Sequence, residues 1–152
     1  MDDIDKKIVQ ILQQDASTSV REIADAVGLT STPCWRRIQS LEKAGVISKR
    51  VAIVDPQQVN LSLTALVLIR TNEHNAEWTE RFLDTTQRFD EVVEAYRTSG
   101  ELDYLLKVVV PNMDAYDQFY LRLIEHIDLY DVRSSFVMEE MKHTTALPLQ
   151  YV

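Results

Sequence analysis

Polar and cationic side chains recur at helical spacing on one side of the segment between residues 30 and 45. They are Arg36, Gln39, Ser40 and Lys43. Apolar side chains recur at i, i+4 and i+7 on the other side, namely Cys34, Ile38 and Leu41. A helix that buries one stripe and presents guanidinium, amide, hydroxyl and ammonium groups on the other suits the major groove of DNA. For this segment alone, the alternative is an amphipathic surface helix with a solvated charged face.

The ends of this predicted helix are marked in the sequence. Pro33 is tolerated in a first turn, where a backbone N–H has no intrahelical acceptor. A hydroxyl at position 30, 31 or 32 can accept a hydrogen bond from a free first-turn N–H and act as the N-cap. Gly45 follows the last periodic residue and favours the left-handed backbone that ends many helices.

Two further helices are predicted before this one. Apolar residues with helical periodicity indicate a first helix over about residues 2–14: Ile4, Ile8, Ile11 and Leu12. Ser19 and Glu22 have the spacing of a capping box, which predicts the start of a second helix, and Gly28 predicts its end. Two helices joined by a tight turn behind a supporting first helix form a helix-turn-helix, so DNA binding is favoured over the solvated-face alternative.

The net charge of −8 is unevenly distributed along the 152 residues. Residues 1–60 contain eight basic and eight acidic residues, so the whole −8 lies in residues 61–152. The segment from Ser31 to Arg50 holds five basic residues against one acid, Glu42. This local excess of positive charge is a plausible phosphate-binding surface on an otherwise acidic chain.

Cysteine usage and hydropathy favour a cytoplasmic protein without a membrane partner. No apolar run approaches the about 20 residues needed to cross a bilayer, and the acidic N-terminus lacks an apolar signal segment. A single cysteine, Cys34, excludes an intrachain disulfide and lies on a predicted buried stripe, which indicates packing rather than nucleophilic chemistry. His74, His126 and His143 lack metal-ligand spacing, so no metal site is predicted.

The hydrophobic period changes after the third helix. Residues 46–54 are rich in valine and isoleucine and predict a strand, or wing, that carries Lys49 and Arg50 within reach of phosphate. Pro56 ends this segment. We therefore predict a DNA-binding domain over residues 1–54, a linker over 55–61 and a second domain over 62–152.

The second domain alternates predicted strands and helices in the order βαββαβ. The predicted strands are 63–71, 92–99, 102–110 and 132–141, and the predicted helices are 76–88 and a segment capped by Asn112. This order is typical of a ferredoxin-like α+β fold with two helices on one face of an antiparallel sheet. The other face has alternating apolar residues and no helix to cover it, which predicts burial against a second copy in a homodimer.

The chain resembles the Lrp/AsnC (feast/famine) transcriptional regulators of bacteria and archaea along essentially its whole length. The resemblance lies in residues 28–34 leading into Arg37, Leu41, Glu42 and Gly45, and in segments 100–107 and 134–142. Ser31, where the family often has proline, and Trp35, where it has a smaller aliphatic residue, are departures. The resemblance implies a DNA-bound, amino-acid-responsive regulator whose dimers assemble into octamers, with no cofactor other than the small effector.

The resemblance also implies an effector site at the turn between the two central predicted strands. The residues assigned to it are Thr98, Ser99, Gly100, Glu101, Asp103 and Tyr104. A glycine permits close approach to the backbone, free N–H groups of a tight turn can receive a carboxylate, and Asp103 or Glu101 can pair with an ammonium. From the residues alone, a simple hairpin with solvated acids, in which Gly100 supplies a positive φ, is favoured over an effector site, and the resemblance reverses that preference.

The predicted DNA-binding surface covers the third helix and the basic pair after it. Its members are Ser31, Thr32, Pro33, Trp35, Arg36, Arg37, Gln39, Ser40, Lys43, Lys49 and Arg50. We expect Thr32, Arg36 and Ser40 to face base edges, whereas Arg37, Lys49 and Arg50 mainly meet phosphates of operator or promoter DNA. An effector-blind architectural DNA-binding protein is the alternative. A metabolic enzyme is disfavoured because no base–nucleophile pair or phosphate loop is present.

Overall fold

The computed structural model describes residues 1–152 and divides into two compact units. One unit comprises residues 1–53 together with 141–152, and the other comprises residues 54–140. The predicted second domain of 62–152 is therefore corrected at its end, because the last twelve residues pack with the N-terminal unit. Those residues form only a short 3-10 turn, so no periodic pattern could have assigned them from sequence.

The N-terminal unit has three helices: α1 (Asp3–Gln14), α2 (Val20–Val27) and α3 (Ser31–Lys43). Capping boxes begin the first two, formed by Asp2 with Asp5 and by Ser19 with Glu22, as predicted for α2. Gly28 ends α2 in the left-handed conformation, with φ of 72°. Thr30 occupies the N-cap of α3 without a side-chain hydrogen bond.

The apolar stripes of α1, α2 and α3 meet in one core. Its fully or nearly fully buried members include Ile8, Ile23, Cys34, Ile38 and Leu41. Burial raises the pKa of the Cys34 thiol from its ordinary value, which keeps the group protonated and unreactive. The prediction that Cys34 is a core residue is confirmed.

The predicted strand over residues 46–54 is wrong. Residues 48–55 form no helix or strand, and the side chains of Val51, Ile53 and Val54 are 61%, 65% and 59% exposed. β-branched residues favour extended backbone, but a strand also requires a partner, and no other segment of the chain pairs with this one. Asp55 then caps a 3-10 turn over Pro56–Val59.

The second unit follows the predicted βαββαβ order. Its elements are β1 (Leu63–Arg70), α4 (Ala76–Arg88), β2 (Val92–Arg97), β3 (Tyr104–Val110), α5 (Met113–His126) and β4 (Asp131–Phe136). The sheet is antiparallel with strand order β2-β3-β1-β4, the ferredoxin-like arrangement. The last strand ends at Phe136 rather than near residue 141. The α+β fold prediction is confirmed.

Helices α4 and α5 cover one face of this sheet. Strand β3 shows the consequence: Tyr104, Leu106 and Val108 are buried, whereas Leu105 and Lys107 between them are only partly buried. Large rings fill the covered side, since Trp78 and Phe82 stack with centroids 5.1 Å apart. None of the five helices combines the length and hydrophobicity needed to cross a bilayer.

Candidate functional site

The third helix presents a continuous polar surface on the side opposite the core. All residues of α3 that were predicted to contact DNA are exposed, except Arg37. They include the aromatic Trp35, which is 51% exposed. Arg36 and Lys43 have no carboxylate within ion-pair distance, so their charges are free to meet an external anion. The exposed members are Ser31, Thr32, Pro33, Trp35, Arg36, Gln39, Ser40 and Lys43.

Arg37 has a different environment from its neighbour Arg36. Its Nη1 atom lies 2.7 Å from a carboxylate oxygen of Asp2 and 2.7 Å from one of Asp5. Asp5 and then Asp2 raise the pKa of the Arg37 guanidinium, and the pKa of Asp2 is lowered by the backbone N–H of Asp5 and by Arg37. Arg37 therefore ties α3 to the start of α1, which weighs against its predicted contact with phosphate.

A second network holds the segment that follows α3. Glu42 accepts a hydrogen bond from the Gln39 amide and forms an ion pair with Arg50, both at 2.8 Å. Arg50 is thus partly neutralised within the chain, whereas Lys49 is exposed and has no ion-pair partner. Arg36, Lys43 and Lys49 are therefore the cations of the predicted DNA-binding surface that have no ion-pair partner within the chain.

The predicted effector turn is built by internal hydrogen bonds. Gly100 has a φ of 125°, a backbone conformation that glycine adopts readily and other residues rarely adopt. The N–H of Thr98 donates to the carbonyl of Asp103 at 2.8 Å, and the Thr98 hydroxyl donates to the carbonyl of Leu102 at 2.6 Å. Ser99 and Glu101 are exposed at the tip, with no side-chain partner.

Two residues of the predicted effector site, Asp103 and Tyr104, make contacts that stabilise the fold. The carboxylate of Asp103 accepts the N–H of Thr71 at 2.8 Å, just beyond the end of β1, so it is already engaged rather than free for an ammonium. Tyr104 is 6% exposed, and its ring lies 4.4 Å from the Phe82 ring and 5.5 Å from the Trp78 ring between centroids.

An open pocket lies beside this turn and was missed from sequence. It is bordered by the beginning of α4 and by Arg97, which pairs with Tyr104 across the β2–β3 hairpin. The hairpin register could have indicated Arg97, but the approach of α4 is a long-range feature without a local pattern. The chain has no group of three histidine, cysteine or acidic residues placed to hold a metal ion.

The fold and the exposed third helix define a class: proteins that join a helix-turn-helix DNA-binding domain to a ferredoxin-like α+β domain. Residues 1–48 match a winged helix-turn-helix DNA-binding domain, and residues 64–147 match the Lrp/AsnC ligand binding domain. The chain belongs to the Lrp/AsnC family of transcriptional regulators. The predictions of a DNA-binding regulator and of a non-enzymatic protein are confirmed by this membership.

Relatives match the chain over nearly its full length. The DNA-binding transcriptional activator DecR of Escherichia coli K12 is 46% identical over 151 residues, covering 99% of both chains. The crystal structure of an AsnC family transcriptional regulator from Agrobacterium tumefaciens is 54% identical, with a TM-score of 0.96 and 99% of both chains covered. A transcriptional regulator from Neisseria meningitidis, solved as a complex with L-Met, is 36% identical with a TM-score of 0.95, covering 99% of this chain and 98% of that one.

Proposed function

We propose that this regulator reads operator DNA with α3 and changes its DNA binding when an amino acid binds to the unit of residues 54–140. The observation that carries the amino-acid assignment is the Neisseria meningitidis relative, whose fold matches over 99% of this chain and whose structure holds L-Met. The ligand-binding domain match over residues 64–147 supports the same assignment.

The proposed contacts with DNA use the side chains of the predicted DNA-binding surface that are exposed and have no ion-pair partner. Arg36 reaches base edges together with Thr32 and Ser40 from one face of α3, because a guanidinium can bond guanine with two hydrogen bonds. Lys43 and Lys49 meet phosphates, which supply affinity without sequence preference. Arg37 supports the helix from behind through its ion pairs with α1.

Self-association is supported by the face of the sheet that no helix covers. Leu66 and Leu68 on β1 and Leu105 and Val109 on β3 alternate with core residues and therefore point away from α4 and α5. A second copy placed on this face buries these side chains, which gives a homodimer. Assembly of dimers into an octamer is the further arrangement that membership of the family suggests, and it presents several recognition helices at fixed spacing.

A substitution on this face tests the dimer. Leu105→Glu is expected to shift the full-length protein to a smaller species in light scattering, since it would bury a charge in the interface. Leu121→Glu is the matched control, because Leu121 is 49% exposed on α5 and lies on the other side of the unit. A wild-type monomer at micromolar concentration would contradict the proposed self-association.

Titration of a protein–DNA complex tests the amino-acid response. DNA selected from a random pool by the purified protein serves as the labelled operator, and fluorescence anisotropy measures its affinity with each of the twenty amino acids. An effector is expected to change operator affinity about 5- to 150-fold, the usual range of coupling between two sites. If no amino acid changes operator affinity or assembly, the effector-blind architectural function replaces this proposal.

The cellular location that we propose follows from the DNA partner of the protein. A regulator of this family acts on chromosomal DNA, so we assign it to the bacterial or archaeal cytoplasm, in association with DNA. Fractionation of cells that express a tagged chain tests this assignment by asking whether the protein sediments with nucleoid DNA. Recovery in the membrane fraction after nuclease treatment would contradict it.

A further inference from the structure

Gln39 is an uncharged member of the predicted DNA-binding surface. It comes three residues after Arg36 and four residues before Lys43, so the three side chains lie on the same side of α3. The buried stripe of the helix lies on the opposite side, and the Gln39 side chain is exposed. A helix that enters the major groove with Arg36 therefore brings the Gln39 amide to the same groove.

One hydrogen bond fixes which end of the Gln39 amide faces Glu42. The Nε2 atom of Gln39 donates to the Oε2 atom of Glu42 at 2.8 Å. A carboxylate offers only acceptors, so it attracts the amide nitrogen and would repel the amide oxygen at this distance. The Gln39 amide is therefore held with its nitrogen towards Glu42, whereas an amide in solvent would turn freely.

Glu42 is itself held by the segment that follows α3. Its Oε1 atom accepts a hydrogen bond from Nη2 of Arg50 at 2.8 Å, while its Oε2 atom accepts from Gln39, so each carboxylate oxygen has one partner. Glu42 is the one acidic residue between Ser31 and Arg50, and DNA phosphates would repel an unpaired carboxylate there. The ion pair with Arg50 offsets this repulsion and keeps Glu42 beside the DNA-binding surface.

The hydrogen bond to Glu42 limits what the Gln39 amide can offer to a base. A glutamine amide has two N–H donors and one acceptor oxygen, and Glu42 takes one of the donors. One donor and one acceptor remain. In the major groove, adenine presents an acceptor at N7 beside a donor at N6, whereas guanine presents two acceptors, cytosine one donor, and thymine an acceptor with a methyl group. Adenine is therefore the base that can form two hydrogen bonds with the remaining groups of Gln39.

We propose that Gln39 recognises one adenine in each half-site of the operator, and that Glu42 is the positioning residue that makes this recognition selective. Without Glu42 the amide can turn and offer both of its N–H groups to guanine, so the two purines become harder to distinguish. The assignment rests on the proposed function, in which α3 recognises operator DNA. The contrasting role for the Gln39–Glu42 hydrogen bond is purely structural, namely to stabilise the surface of α3.

Base substitutions in the operator test the role of Gln39. The full-length protein is titrated against the DNA selected from a random pool, with each base pair changed in turn, and fluorescence anisotropy gives the affinities. Wild type is expected to prefer adenine about 5- to 150-fold at one position of each half-site, and Gln39→Ala is expected to lose the preference at that position alone. Replacement of this adenine by 7-deazaadenine, which lacks the N7 acceptor, should weaken binding of wild type and not of Gln39→Ala.

A double-mutant cycle tests the role of Glu42. Glu42→Ala is expected to reduce the preference for adenine over guanine at the same position, without weakening binding to random DNA. In the Gln39→Ala background the same change should have no further effect on base preference, because Glu42 acts through the Gln39 amide. Asp25→Ala is the matched control: it removes an exposed acid from α2 of the same unit and should keep the adenine preference of wild type.

The results distinguish this assignment from the wider proposal. If Gln39→Ala weakens binding equally for every base at every position, or loses its preference at a G·C pair, the adenine assignment is overturned while recognition of the operator by α3 stands. If Glu42→Ala lowers the melting temperature and keeps the full adenine preference, the hydrogen bond is structural and the positioning role is overturned. If no single base change affects binding of wild type, recognition of operator sequence by α3 falls, and the assignment of Gln39 falls with it.

Discussion

The side-chain amide of Gln13 bonds the backbone of Leu147 in both directions. Its oxygen accepts the Leu147 N–H at 2.7 Å, and its nitrogen donates to the Leu147 carbonyl at 3.3 Å. Two residues later, Leu149 packs against the apolar core of the three helices. The C-terminal segment is therefore an integral part of the DNA-binding unit, which the chain leaves after residue 53 and rejoins at residue 141.

Removal of this amide is predicted to release the C-terminal segment. Gln13→Ala leaves the Leu147 N–H and carbonyl without their partner, and we expect a loss of about 1 kcal/mol in unfolding free energy. Native-state hydrogen exchange should show faster exchange of the Leu147 amide. Gln10→Ala is the control, since Gln10 is exposed one turn earlier on α1 and the change in helix propensity is the same. Unchanged exchange at Leu147 would show that the amide does not hold the segment.

Neighbouring arginines on α3 are predicted to have separate effects. Arg36→Ala should weaken binding to the operator by about 1–3 kcal/mol, with little effect on random DNA, and leave the melting temperature unchanged. Arg37→Ala should lower the melting temperature because it releases the ion pairs with Asp2 and Asp5. Anisotropy at several salt concentrations and thermal melts provide both measurements.

The salt dependence decides the role of Arg37. A residue that contacts phosphate contributes about one unit to the slope of log affinity against log salt. We expect Arg37→Ala to keep the wild-type slope and Lys49→Ala to reduce it. A reduced slope for Arg37→Ala would restore the phosphate contact predicted from sequence and remove the supporting role.

Acid is predicted to weaken the junction between α1 and α3. The pKa of Asp2 lies below its ordinary value of 3.8, because the N–H of Asp5 and the guanidinium of Arg37 favour the carboxylate. A carboxylate with a lowered folded pKa contributes stability above its unfolded pKa, and that contribution disappears as the pH falls through the folded value. The stability difference between wild type and Asp2→Asn should therefore be present at pH 7 and shrink below about pH 4.

Chemical denaturation at a series of pH values measures this difference. Asparagine retains the oxygen that caps α1, so the variant removes the charge while keeping the N-cap. Asp3→Asn, at an exposed first-turn position without an ion pair, is the control. If the free energies of unfolding of wild type and Asp2→Asn differ by the same amount from pH 7 to pH 3, the ion pair between Asp2 and Arg37 does not make the proposed contribution.

The helices were predictable because their signals are local. Pro33, the capping box at Ser19 and the glycines mark helix ends, and periodicity identified the buried stripe that contains Cys34. The strand over 46–54 was mispredicted because β-branched composition does not specify a partner strand. Arg37 was assigned to phosphate because its exposed neighbours are cationic, whereas the aspartates that bind it lie more than 30 residues away.

The turn of the candidate site was also only partly predictable. Gly100 was correctly expected to adopt a positive φ, since a hairpin turn is a local feature. The hydrogen bond from the Thr71 N–H to the Asp103 carboxylate was not predicted, because Thr71 lies 32 residues earlier and comes close to Asp103 only when β1 and β3 pair. Arg97 and Glu80 approach one pocket for the same non-local reason.

Asp103 is predicted to position the loop between β1 and α4 rather than to bind ligand directly. Its carboxylate holds the Thr71 N–H, and the Thr71 hydroxyl accepts the N–H of Glu73 at 3.0 Å, two residues before the Asn75 cap of α4. Asp103→Ala should therefore weaken amino-acid binding by displacing this loop. Asp103→Asn keeps an oxygen that can accept the Thr71 N–H, so calorimetry should give an affinity within a few-fold of wild type. If Asp103→Asn abolishes binding as completely as Asp103→Ala, the charge itself is required, and Asp103 pairs with the ammonium of the effector as first expected from the sequence.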